Sequence, residues 1–314
     1  MEIAEIIKNQ NFFKKLEEKP LSNSLLFYCE DDKSSEVTLI LTALMLNYKT
    51  YALMNENSAE YKRVLNGADL DIKIYPKNKE KLLVSDSNEI VDEVFIKPTN
   101  KENKVFLIEN IDLSTTEAQN KLLKVLEEPP KNVYFLISAK QADRVLPTIK
   151  SRCDKITIEK LPLSEIEKVC KNPLACMLCE GYVGKAEELS KNSNLNEIVD
   201  FAVSLVCDLK NSSQVLRFSK RFQEFKGDID LILKIYSFCL EDMLKIKTEI
   251  KDYCLMKMFL PKIESVESEF SVQAICEILN LITFFRKKLE FNANLPVAID
   301  NLLLKILEVK YICK

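Results

Sequence analysis

The sequence predicts an α/β domain, with a mostly parallel sheet and helices on both faces, followed by an all-helical remainder. Short apolar strands alternate with helical stretches as far as Leu161, and strand signals stop after Leu161-Pro162. Beyond that point apolar residues recur at three- and four-residue steps, the spacing of an amphipathic helix. Alternating strand and helix makes consecutive strands parallel, with crossover helices covering both sides. The 314 residues also exceed the ~100–200 expected of one domain, so two or three are predicted.

Taken in order, the pattern places a helix over 3–16, a strand over 25–29 and a helix over 37–48. Further strands fall at 71–75, 105–109, 133–138 and 155–158. Ser114 and Glu117 stand at capping-box spacing before a helix that buries Ala118, Leu122 and Leu126 and stops at Pro129-Pro130. A short helical module covers 164–190, a polar linker 191–196, and long amphipathic runs 228–246, 271–291 and 298–309. There is no internal repeat and no low-complexity tract.

Composition is that of an ordinary globular chain, 47% hydrophobic and 30% charged, with a net charge of -3. Both signs are interspersed, so charge does not make nucleic acid the main partner of the isolated chain. The amino terminus lacks the regions of a signal peptide and no stretch is apolar enough to span a bilayer, from which a cytoplasmic protein is expected. The ten cysteines fall mostly in apolar helical runs and read as reduced, buried thiols. There is no histidine, which removes the commonest general base, every Ser-His-Asp or Cys-His arrangement and the usual nitrogen ligand of zinc.

The stretch from Phe27 to Leu46 has the strand, turn and apolar helix of a phosphate loop, but a turn without glycine and with four acids. On the G-x-x-x-x-G-K-[ST] template, Cys29 and Ser34 stand at the glycines, Ser35 at the lysine and Glu36 at the magnesium-binding hydroxyl. Glu30, Asp31, Asp32 and Glu36 would oppose a triphosphate, with only Lys33 to offset them. Read locally, the segment serves equally as a solvated loop whose acids complement the positive end of the next helix.

The segment Lys104–Ile158 adds the context. It carries an acidic-ended strand followed by A-x-x-x-L-L-K-x-L-E-E-P-P, the strand Tyr134 to Ala139, and the run Leu146-Pro147-Thr148-Ile149-Lys150-Ser151-Arg152-Cys153. Together these strongly resemble the clamp-loader branch of the AAA+ ATPases in bacterial DNA polymerase III, and within it the delta-prime-type subunits. The resemblance extends through Gly181-Tyr182-Val183-Gly184-Lys185-Ala186 and a segment from Asn294 to Leu303, and so covers essentially the whole chain. It implies an AAA+ domain with a degenerate phosphate loop (1–161), a small helical lid (162–194) and an all-α C-terminal collar domain (195–314). The γ/τ motor subunits are similar, but they keep an intact phosphate loop.

By the same resemblance, Glu109 and Asn110 match the Walker B carboxylate pair, and Asn110 can neither hold magnesium nor polarise water as a carboxylate would. Ser151, Arg152 and Cys153 match the family's SRC motif, whose arginine is offered in trans to the ATP of the neighbouring subunit. A guanidinium suits that task because it is always charged and forks onto phosphate oxygens. Lys185 stands at the sensor-2 position, where lysine lacks the arginine fork. The usual cysteine zinc module is replaced by Asn55, Ser58 and Tyr61, so no zinc is expected, and the altered phosphate loop and Walker B pair lead to the expectation of no bound ATP.

Other patterns read as structural. Cys170, Cys176 and Cys179 lack a fourth ligand nearby and read as core thiols. Glu127-Glu128 closes a helix and reads as interface or solvated face. Phe284-Phe285-Arg286-Lys287-Lys288 reads as half core, half solvated face.

The expectation is therefore a non-catalytic subunit of the clamp-loader pentamer, presenting Arg152 while neighbours drive loading of the sliding clamp onto primed DNA. Its implied partners are the γ/τ and δ subunits, with clamp and primer-template DNA met through the assembled complex, and no membrane. An ATP-hydrolysing γ/τ-like subunit with an atypical loop is the enzyme alternative, and a DNA-binding module acting alone is a third class.

Overall fold

In the computed structural model, residues 3–18, 21–48, 55–78, 80–289 and 295–313 are described. The chain divides into two compact units, Met1–Leu189 and Ser190–Lys314. Asn294, the first residue of the C-terminal match, lies outside the described residues.

In the first unit, α1 (Ile3–Lys8) and α2 (Asn11–Glu18) precede β1 (Ser24–Tyr28), α3 (Asp32–Tyr48), α4 (Ala59–Leu65), β2 (Ile72–Tyr75) and α5 (Val84–Glu93). Then follow β3 (Lys104–Ile108), α6 (Thr116–Glu127), β4 (Val133–Ala139), α7 (Pro147–Lys150) and β5 (Asp154–Thr157). The five strands form one sheet of order β2-β3-β4-β1-β5 with every pair parallel, the predicted fold class. Side chains alternate across it at the strand period of two. Leu25, Phe27, Val105, Leu107 and Leu136 join one buried cluster with α1, α3 and α4; Leu26, Phe106, Ile108, Phe135 and Ile137 join a second with α5 and α6. Both faces are thus covered by helices. Short helices α8 (Leu163–Ile166), α9 (Pro173–Leu178) and α10 (Val183–Lys191) complete the unit. Asn172 Oδ1 caps α9 by accepting from the amides of Leu174 and Ala175, at 3.1 and 3.3 Å, and Pro173 opens it.

Three local expectations shift. The helix expected over 3–16 is α1 plus α2, parted at Asn9-Gln10, where the Gln10 amide turns back to Ile7 O and its side chain donates to Glu159 O at 3.0 Å. Helix α3 starts at Asp32 rather than Val37. Its buried Thr38 and Thr42 hydroxyls donate to the carbonyls four residues earlier, at 2.7 and 2.8 Å, so both threonines sit in an apolar environment with their hydroxyls satisfied. The cap of α6 is Thr115, whose Oγ1 accepts from Ala118 N at 3.2 Å, while the Ser114 hydroxyl closes the preceding turn onto Ile111 O. The Ser114/Glu117 capping box is displaced because Ile111–Leu113 takes a separate 3-10 turn.

The second unit is helical: α11 (Leu195–Asp208), α12 (Val215–Glu224), α13 (Ile229–Lys247), α14 (Leu260–Glu267), α15 (Val272–Leu289) and α16 (Leu295–Ile312). Helix α13 packs against α11, α14 and α15, and α16 against α12 and α15. Phe201 gathers the rings of Phe218, Phe222 and Phe225 at centroid separations of 6.1, 5.1 and 5.8 Å. In the mixed aromatic-basic run Phe285 is buried and Phe284 exposed, and Arg286 donates from Nε and Nη2 to the Asp230 carboxylate at 2.6 and 2.9 Å. No described helix is long and apolar enough to cross a membrane.

Candidate functional site

Parallel strands point their carboxyl ends to one edge of the sheet, the edge where open α/β folds place ligands. There the structure gathers Cys29, Ser34, Ser35, Glu36, Glu109, Asn110 and Lys185. Asp32, Lys33, Ser35, Glu36, Glu109 and Asn110 line a cleft of about 350 Å³.

Its polar groups are engaged mostly with one another. Asp31, 4% exposed, is the residue before α3; its Oδ2 accepts from Ser34 N at 2.9 Å, from the Ser34 hydroxyl and from Gly184 N at 3.1 Å. Those first-turn amides are the donors a phosphate would use. Asp32 accepts from Asn110 Nδ2 at 2.9 Å and Lys140 Nζ at 2.6 Å. Asn110 reaches it from the left-handed region, φ 49°, which asparagine tolerates better than most residues, and its own amide donates to Ser138 Oγ at 3.0 Å. Lys140 is set in place by Asp112, whose two carboxylate oxygens accept from the amides of Lys140 and Gln141, both at 3.1 Å. Lys33 pairs with Glu36 at 2.6 Å. Lys185 faces Glu30 and Glu180, at 3.8 and 3.9 Å, with its ammonium 4.7 Å from the Tyr182 ring centre.

Each lysine of the cleft therefore already has a carboxylate beside it. A unit negative charge brought within 4 Å of a bare carboxylate meets ~4 kcal/mol of repulsion at an effective dielectric of 20. Burial pushes the Cys29 thiol up to about 12, so it stands there neutral, its sulfur accepting from Asp31 N at 3.4 Å.

Two glycines near the start of α10 come close to the rest of the unit, and Gly184 is the one that meets this loop. Gly181, φ +89°, lies where a Cβ would come within 2.8 Å of Lys160 Cβ, and its carbonyl accepts from Leu161 N at 2.8 Å. A Cβ on Gly184 would stand 2.5 Å from Lys33 Cβ and closer still to the Asp31 carboxylate.

Ser151-Arg152-Cys153 lies elsewhere. It immediately precedes β5, whose Asp154 is registered with Leu25 near the start of β1, whereas the loop follows Tyr28 at the strand's far end. Four residues of strand, roughly 13 Å at ~3.3 Å per residue, separate the two levels. Entry to α7 is held by buried Gln119 of α6, which donates to Arg144 O at 3.1 Å and accepts from Leu146 N at 2.9 Å. Arg152 Nη1 donates to Thr148 O at 3.0 Å and Nη2 to Glu127 Oε2 at 2.8 Å. Ser151 is exposed; Cys153 is buried, and burial pushes its thiol up to about 12.

Residues at the replaced zinc positions do other work: Ser58 caps α4 by accepting from Tyr61 N at 3.1 Å, and Tyr61 is buried in the core. Cys170, Cys176 and Cys179 are buried, and among the described residues no group of three or more acidic or cysteine side chains is placed to hold a metal. Sequence reasoning missed Lys140 and Ser138, whose signal was the polar end of the strand Tyr134–Ala139. It also missed that Asp31 and Asp32 answer to partners inside the chain, and that Glu127 answers to Arg152.

The five-stranded parallel sheet with helices on both faces, followed by an all-helical region, matches the clamp-loader fold. Residues 5–162 match the family described as DNA polymerase III, delta subunit, and the chain belongs to that family. It is 23% identical over 318 aligned positions to the delta prime subunit of Bacillus subtilis, covering 94% of each. A gamma/tau subunit of Mycobacterium tuberculosis is 35% identical over 79 residues, but these are only 14% of that protein's length. Among solved structures, a gamma subunit-related protein of DNA polymerase III from Thermotoga maritima superposes with a TM-score of 0.51 at 17% identity, covering 95% of this chain and 98% of that one, a likeness of fold.

Proposed function

We propose that this chain is a non-catalytic delta prime subunit: it supports ATP-driven loading of the sliding clamp onto primed DNA and offers Arg152 to an ATP held by a neighbouring γ/τ subunit. The observation that carries this reading is the placement of Arg152 at the end of the sheet opposite its own cleft. An arginine there serves a phosphate on another chain or none. The internally paired cleft supports the second half, since a triphosphate would have to displace Lys140 and Lys33 from carboxylates at 2.6 Å. In this reading residues 1–161 and 162–194 lie in the loader ring and 195–314 join its collar, with δ, the clamp and primer-template met through the assembly.

In a loader reconstituted with motor subunits, clamp and DNA, Arg152→Ala assembles but loses DNA-stimulated ATP hydrolysis; undiminished turnover removes the assignment. The isolated chain binds no labelled ATP in the micromolar range, and magnesium-dependent binding there would favour the ATP-hydrolysing reading.

A further inference from the structure

We propose that Glu127 is the positioning residue of Arg152, an inference that rests on the reading of Arg152 as a residue acting in trans. Helix α6 ends at Glu127: Glu128 leaves helical geometry at φ -127° and ψ 71°, and Pro129-Pro130 has no amide to continue it. This stop sets the Glu127 carboxylate beside the turn after α7. Arg152 Nη2 meets Glu127 Oε2 at 2.8 Å, Nη1 meets Thr148 O at 3.0 Å, and Nε is enclosed without an acceptor.

A guanidinium has five N–H donors in one plane. Two are engaged and the third is enclosed, which leaves one on each terminal nitrogen. Guanidinium N–H groups of this kind donate to phosphate oxygens. The carbonyl alone leaves the plane free to turn about one bond; the carboxylate supplies the second point that fixes it. The side chains of Glu127 and Arg152 are 58% and 27% exposed, and an ion pair this open adds little to folding stability. Its consequence is orientation, so replacing Glu127 leaves the fold intact.

The test uses the reconstituted loader with the variants Glu127→Ala, Glu127→Gln, Arg152→Ala, the Glu127→Ala/Arg152→Ala double, and Glu128→Ala as the neighbouring control. Misplaced reacting groups lower rates steeply, and the expected loss for Glu127→Ala is about tenfold in the neighbour's kcat with KM for ATP nearly unchanged. Glu127→Gln, which keeps an acceptor oxygen, restores most of it, and Glu128→Ala has no effect. In the Arg152→Ala background the Glu127 change adds nothing, the coupling expected of residues acting as a unit. If Arg152→Ala abolishes turnover while Glu127→Ala leaves it unchanged or raises it, positioning by Glu127 is overturned and the trans arginine stands. If Arg152→Ala itself has no effect, both readings fall.

Discussion

Asp31 and Gly184 stand 153 positions apart in the sequence, and the Gly184 amide donates to the Asp31 carboxylate at 3.1 Å. The same carboxylate takes the Ser34 amide and hydroxyl, so one buried anion joins the start of α3 to the start of α10. Helix N-termini present amides of the kind that bind anions. Here the Asp31 carboxylate meets amides from both helices.

Gly184→Ala is therefore expected to destabilise the protein by roughly 1–3 kcal/mol, the range of overpacking a filled site, since its Cβ would meet Asp31 and Lys33. Asp31→Ala should loosen the same junction, read as faster hydrogen exchange at the Gly184 amide. Added formate should slow that exchange in Asp31→Ala and not in the parent protein. Exchange unaltered by Asp31→Ala would show that the carboxylate is not what fastens the start of α10.

The sheet and its helices were legible because continuous apolar runs at 25–28, 105–108 and 135–137 mark strands buried on both faces. What stayed hidden were pairings across distance. Four acids in a turn read as repulsion toward a triphosphate, and sequence holds no record that Lys140, 108 residues away, returns to Asp32. The α6 cap slipped by one residue for a related reason. Ser114 and Thr115 are chemically equivalent caps, and only the 3-10 turn at Ile111–Leu113 decides between them.

Asp242 makes a sharper stability prediction. It is 0% exposed within α13, and its carboxylate accepts from Leu255 N at 2.9 Å, Met256 N at 2.6 Å and Lys245 Nζ at 2.9 Å, tying the chain after α13 back onto the helix. Asp242→Ala leaves two amides without acceptors, and a loss of roughly 2–4 kcal/mol is expected. Urea denaturation followed by tyrosine fluorescence reads it, and exchange at Met256 N localises it; an unshifted midpoint would contradict the accounting.

The thiols should divide by burial. Desolvation holds Cys29, Cys153 and Cys176 protonated, each pushed up to about 12, while Cys276 is exposed. Only thiolate attacks alkylating reagents. Iodoacetamide at pH 8 is expected to mark Cys276 before any of the three, with the buried thiols reacting at the rate of unfolding. Early modification of Cys29 in native protein would show that the cleft opens.

The acid limb of stability offers the last test, at Glu269. Its carboxylate accepts from Lys210 Nζ at 2.7 Å and pairs with Lys310 Nζ at 3.0 Å. The Lys210 hydrogen bond, above all, holds the Glu269 carboxyl below its ordinary value of 4.5, against opposing desolvation. Since the folded value is depressed, the unfolded chain takes up the proton first as pH falls. The stabilisation is complete above the ordinary value and is lost as pH drops through the lowered one. Glu269→Gln should be less stable than the parent at pH 7, and the gap between their denaturation midpoints should close below pH 4.5. Lys310 is nearly buried, so salt should narrow the neutral-pH gap only partly. A gap that stays constant from pH 7 into the acid range would place the effect of the substitution in packing instead of charge.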